Sequence, residues 1–452
     1  MPSDSAVSSI PELSRRRVLV GVGGAVGLGT LGSIAVGATA PTALPDVLTD
    51  EATKHYPTPP EVTDHWRPTV TEAHARDVVE TFETTHERAD ERWARIDEDR
   101  FGSGGSGWLE DARSELDAGN YHEALFAATY GLQFAAIDLG KARAKQGDAD
   151  IPALAERAID VRERATAVVD ALAPYRVDDP GTDLAWYRRI EQEAVGGAWR
   201  ATWSTVEETA NGVDDDDGPR RTQFDPGGVG DLTEGVVLGD VAVSNAERFH
   251  DHLIERLSED ATAYESHLDF VVEDFRSVLA DAPDRETVLE RHDVRSTDDY
   301  GPDEFAHSRL ARWCYDAPYV NPWTNEIDTD AKALIAVALA QGVVDHRAHQ
   351  FAIDKLVVDE STEGFDSGHV LAEKRRARNT YQNVIGDDPD PLLTRQAARA
   401  IEDLQVATVD LDHTDGDWTP WKERLDAYLY ALLGRAKLHH HPDVYQQFVN
   451  WP

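Results

Sequence analysis

Ala75, Val79, Phe82, His86, Ala89, Trp93 and Ile96 recur at alternating steps of four and three. An α-helix gathers that spacing onto one stripe, whereas a strand would scatter it over both faces. The stripe predicts a long helix packed against neighbours at coiled-coil-like angles, with His86 as an interior histidine. Comparable patterns predict helices over residues 153–172, 183–209, 236–258, 261–279, 303–315, 371–384 and 392–409. Residues 333–344 carry no charge; too short to cross a bilayer, they predict the central buried helix of the second half. Thr419-Pro420 supplies an N-cap and a first-turn proline for a last helix to Leu438, with a docked tail from His439 onward. The fold class is therefore all-α, in antiparallel helical hairpins and bundles of two parts.

Composition and punctuation divide the chain. Residues 41–68, with Pro57, Pro59, Pro60 and Pro68, read as an extended proline-rich linker. Residues 69–210 form an N-terminal helical domain. Residues 211–235 read as an acidic Gly/Pro-rich linker, with Asp214 to Asp217, Pro219, Pro226, Gly227, Gly228 and Gly230, and residues 236–452 form a C-terminal helical domain. Leu116-Asp117-Ala118-Gly119-Asn120-Tyr121-His122-Glu123-Ala124-Leu125 resembles the inter-helix turn of a tetratricopeptide hairpin. No second copy follows at a spacing near 34 residues, so the hairpin geometry is expected without the solenoid.

Ahead of these helices, Ser14-Arg15-Arg16-Arg17-Val18-Leu19 precedes a run without charge over residues 18–40. A charged stretch followed by an apolar one has the pattern of a secretory signal, and the paired arginines resemble a twin-arginine export signal. Seven glycines dilute the run, which favours transient engagement over a permanent span. Ala38-Thr39-Ala40 fits a small-residue cleavage site; cleavage after Ala38 and an uncleaved N-terminal anchor are the alternatives. The resemblance implies an export machinery that engages Arg15 and Arg16, an extracytoplasmic location, and membrane contact through the N-terminal segment only. No cysteine near the junction is available for lipid attachment.

The formal net charge is −41, from 44 Lys+Arg against 85 Asp+Glu, and the pI is about 4.6. Asp exceeds Glu and Arg exceeds Lys, a balance that resembles proteins of extreme halophiles. Dense carboxylates keep such a surface hydrated in brine, and repel one another when salt is withdrawn. Without a Lys/Arg stripe, nucleic acid is not an expected partner. Cys314, the only cysteine, reads as a buried helical residue.

The sharpest chemical candidate is a carboxylate-bridged metal pair. Glu247-Arg248-Phe249-His250 and Glu304-Phe305-Ala306-His307 both place oxygen and nitrogen donors on one helical face, as di-iron four-helix bundles do. Glu83-Thr84-Thr85-His86 is a third instance, which lowers the weight of each. His346 and His349 are spaced to share a metal with Asp345 or Asp354, but equally to flank the buried helix where it meets solvent. A helix would fan His439, His440 and His441 apart. Neither acidic turn, Asp214 to Asp217 nor Asp410 to Glu423, keeps the EF-hand register. Hydrolase and phosphate-loop motifs are absent. The expected function is thus a binding or scaffold module outside the membrane, the alternative being a metal-dependent oxidoreductase built on Glu247, His250, Glu304 and His307; no cofactor is named.

Overall fold

In the computed structural model the described residues are 41–62, 66–97, 105–201, 225–294, 300–315, 330–358, 365–386, 389–411 and 419–450. They form fifteen α-helices and a single antiparallel pair of two-residue strands, Arg176–Val177 against Thr262–Ala263. The chain is all-α. The export-signal residues 1–40 lie outside the described residues, as do the acidic turn Asp214 to Asp217 and, within the turn Asp410 to Glu423, residues 412–418; the Asp410 N–H donates to the Glu423 carboxylate at 3.1 Å. None of the described helices is long and apolar enough to cross a membrane.

Six helices make the first bundle: α2 (Glu72–Trp93), α3 (Ser106–Asp117), α4 (Tyr121–Gln146), α5 (Ile151–Ala171), α6 (Pro180–Ala201) and α7 (Pro226–Arg256). The stripe on α2 buries Ala75, Val79, Phe82 and Ala89, and Val78 joins them. Trp93 closes the helix by donating its indole N–H to the Asp138 carbonyl at 3.0 Å. The tetratricopeptide-like turn reverses the chain between α3 and α4, where Gly119 takes φ +79°, a conformation open to a residue without a Cβ.

The boundary expected over residues 211–235 shifts. Asp225 caps α7 by accepting from the Gly228 N–H at 2.8 Å, Pro226 takes the first turn, and the helix continues without interruption to Arg256. Gly227, Gly228 and Gly230 are helical, and Gly230, Gly235 and Gly239 let this helix press against its neighbours. A Cβ on Gly230 would lie 2.9 Å from the Ile137 carbonyl, and one on Gly140 would lie 2.5 Å from that of Val229. α7 therefore packs along α4, α5 and α6, and residues 236–256 belong with the first bundle rather than the second.

The second bundle surrounds α15 (Pro420–Val449) with α10 (Pro302–Tyr315), α11 (Lys332–Lys355), α12 (Ser367–Val384), α13 (Pro391–Gln396) and α14 (Ala398–Val406). α8 (Glu265–Ala280) and the short α9 (Arg285–Arg291) lead into it. α15 does not end at Leu438; it runs through Pro442 to Val449, carrying Tyr445 and Phe448 into the core. Thr419 occupies its N-cap without a side-chain hydrogen bond. α11 is longer than its uncharged stretch and joins two cores: Leu334 to Val344 pack with the first bundle, Ala348 and Ala352 with the cluster around α15.

The expected proline-rich linker contains α1 (Asp46–Lys54), seated against α12 and α15. Arg424 clasps Asp46 at 2.7 Å and Asp50 at 2.8 Å, and the buried Lys374 ammonium donates to the Thr53 carbonyl at 3.0 Å. Its sequence, Asp-Val-Leu-Thr-Asp-Glu-Ala-Thr-Lys, buries a polar face of Thr49, Asp50 and Thr53, so apolar periodicity does not betray it.

Candidate functional site: an exposed aromatic face

α4 carries two faces. Ala124, Ala128, Leu132, Ala135 and Leu139 are buried against the bundle. On the opposite side Phe126, Tyr130 and Phe134 follow at steps of four and remain 59%, 42% and 37% exposed. That spacing stacks side chains along one helical edge. The Phe126 and Tyr130 rings lie 6.1 Å apart at 21°, and those of Tyr130 and Phe134 5.6 Å apart at 71°. Trp108 of α3 completes the ladder, 4.6 Å from Tyr130. Gly131 sets its depth, because a Cβ there would lie 2.5 Å from the Phe82 ring and 2.6 Å from the Trp108 Cβ.

The surroundings sharpen the contrast. Residues 124–137 contain no charged side chain, in a chain of net charge −41. Asp111, one turn beyond Trp108 on α3, and Glu123, one turn before Phe126, are exposed carboxylates at the rim. Glu123 is held by Arg67 at 2.5 Å. Tryptophan and tyrosine combine a large apolar body with a polar tip, the composition enriched where proteins meet.

The proposed metal ligands are placed elsewhere. Glu247 is clamped by Arg164, whose guanidinium donates to both carboxylate oxygens at 2.9 and 2.8 Å and also to Asp240 at 2.7 Å. His250, three residues on, lies 3.8 Å from Asp251. Glu304 accepts from the Gly301 N–H at 3.3 Å at the start of α10, while the His307 ring stacks on His292 with centroids 3.9 Å apart. Among the described residues no group of three or more His, Cys, Asp or Glu side chains is placed to hold a metal ion, so the two Glu-x-x-His pairs do not converge.

His346 and His349 do not share a metal with Asp345 either. Asp345 points into the core toward Lys437 at 3.6 Å and Arg399 at 3.4 Å, and Lys437 reaches Asp403 at 2.8 Å. Burial presses the Lys437 ammonium toward its neutral form, but the Asp403 and Asp345 carboxylates outweigh it and hold the proton on. His346 meets the Tyr315 hydroxyl at 3.1 Å, and His349, expected near solvent, is buried with its Nε2 unpartnered. Burial, with His292, His307 and His346 adding like charge, pushes His349 down to about 3. His439 is exposed and His441 buried, as a helical fan requires. Cys314 is buried in α10, where burial first and Asp345 next raise its thiol.

Two family models match. Residues 69–260 match a domain of unknown function (DUF8262), and residues 251–450 match another (DUF8264). The two matches overlap over residues 251–260, at the C-terminal end of α7. No curated protein and no solved structure matches the chain.

Proposed function

We propose that the chain is an exported, salt-adapted helical binding module whose contact face is the aromatic ladder of α3 and α4. The observation that carries this reading is the exposure of Phe126, Tyr130 and Phe134 on an uncharged strip of a highly acidic molecule. Covering roughly 200 Å² of ring surface is worth about 5 kcal/mol before the cost of association, enough to anchor a partner. The fitting partner is a protein that presents apolar side chains flanked by lysine or arginine, since the exposed Asp111 at the rim and the net charge of −41 around it repel an acidic approach, Glu123 being paired with Arg67. The Ser14-Arg15-Arg16-Arg17 resemblance supports an extracytoplasmic site of action, with Arg15 and Arg16 engaging the export machinery.

A photo-crosslinking residue placed at Tyr130 in the cells that make the protein tests the contact. The expected product joins Tyr130 to a basic-flanked apolar segment of one other protein, and Phe126→Ser with Phe134→Ser abolishes it. Crosslinks only between two copies of this chain, or a product indifferent to those substitutions, would overturn the reading. Export is tested separately by recovering the protein outside the cell membrane; a full-length cytosolic product with residues 1–40 intact would remove it.

A further inference from the structure

A second surface feature has different chemistry. Helices α2, α4, α5 and α7 enclose a half-open cleft of about 390 Å³, within the range of small-ligand sites. Arg88 of α2, Arg143 of α4 and Arg157 of α5 line it, together with the hydroxyl of Thr84. Arg157 is balanced by Asp240 at 2.6 Å. Among the described residues neither Arg88 nor Arg143 makes a direct ion pair, and Asp148, the carboxylate nearest in effect to Arg143, is held by Arg92 at 2.6 Å. Arg143 is half-buried, and Arg92, Arg88 and Arg157 all add positive charge against it, with Asp148 the carboxylate that counters them.

With 85 acidic residues against 44 basic ones, a neutralising carboxylate was readily available to this chain. The half-buried Arg143, with like charge on Arg92, Arg88 and Arg157 around it, is the group that an anion entering the cleft would relieve most. The two acids in the lining do not serve. Asp77 is taken by Arg248, and Glu80 lies eight residues from Arg88, roughly 12 Å along the helix axis. Guanidinium forks match the paired oxygens of carboxylate and phosphoryl groups, and Thr84 adds a hydroxyl donor.

We propose that this cleft binds a small multivalent oxyanion, gripped by Arg88 and Arg143, with Glu80 limiting how far its negative charge extends. The site uses α5 and α7, which the aromatic ladder does not. Isothermal titration of the purified full-length chain, at fixed sodium chloride, with inorganic phosphate in one arm and citrate in the other, tests it. The expected result is one saturable site in at least one arm, the arm identifying phosphoryl or carboxylate chemistry. Arg143→Gln and Arg88→Gln should each weaken it on the order of tenfold. Arg113→Gln, whose side chain pairs with Glu83 at 2.5 Å outside the cleft, should leave it unchanged. Because Arg88 is exposed, its variant should fold even where Arg143→Gln does not. Heats no greater than those of added sodium chloride in both arms, or wild-type affinity in Arg88→Gln, would overturn the proposal.

Discussion

Glu191 of α6 shows how one residue joins two bundles. α11 has no side-chain cap of its own, and the Glu191 carboxylate accepts from its Leu334 N–H at 2.5 Å and Ala333 N–H at 3.3 Å. The Tyr175 hydroxyl donates to the same group at 2.6 Å. An anion at a helix N-terminus is favourable, yet full burial outweighs these bonds and lifts Glu191 from 4.5 to about 7. Folding therefore takes up a proton here between those values, and this group's contribution to stability falls as pH rises through the window. Glu191→Gln keeps an acceptor and removes the buried charge, so its unfolding midpoint should decline less between about pH 5 and pH 8 than that of the wild type. Glu191→Ala strands two N–H groups and a phenol, and should cost about 3 kcal/mol or more in denaturant unfolding. His349 works in the opposite direction. It stays neutral in the fold down to about 3, so the unfolded chain gains the proton first and stability is lost as pH falls below 6.5. His349→Leu should reduce the loss between about pH 6 and pH 5 by roughly 1 kcal/mol.

Adjacent glycines on α6 give opposite expectations at the scale of an element. A Cβ on Gly197 would lie 2.8 Å from the Gly239 carbonyl, and one on Gly239 would lie 2.7 Å from that of Gly197, so α6 and α7 touch backbone to backbone. Gly197→Ala should destabilise by about 1–3 kcal/mol through overpacking. Gly196→Ala, with nothing within 4 Å of its new methyl group, should stabilise by about 0.5–1 kcal/mol by restricting the unfolded chain; thermal unfolding of both variants checks the pair. The same contact explains where sequence reading stops. The stripe on α2, the hairpin turn at Gly119 and the uncharged core of α11 were legible because apolar spacing and turn chemistry are local. The first turns of α7 were not, because glycine reads as a linker until a second helix is known to press against it. The aromatic ladder was not legible either, because Phe126, Tyr130 and Phe134 repeat at the four-residue step of a core stripe and only the packing of α4 shows that this edge faces outward. The arginine cleft was not, since residues 88, 143 and 157 meet only through the packing of separate helices.

For the whole molecule, a net charge of −41 sets the conditions of folding. Salt at about 1 M shrinks the screening length to roughly 3 Å, and at about 0.1 M it is roughly 10 Å, long enough for neighbouring carboxylates to repel across the surface. The helical circular dichroism signal should therefore fall as salt is dialysed away and return when it is restored; an unchanged spectrum in dilute buffer would show that the acidic surface is not a salt adaptation. The bundles themselves are held by apolar cores and by buried pairs such as Lys437 with Asp403 and Asp345, which screening reaches less.

α1 belongs to the beginning of the chain but rests on its end, gripped by Arg424, Lys374 and the Ser367 hydroxyl. A ribosome must therefore reach Arg424 before this helix has its full set of partners. The seat of α1 is thus supplied only after every residue of the first bundle has been made. A truncation before Arg424 would leave Asp46 and Asp50 without their guanidinium and α1 loosened from the second bundle.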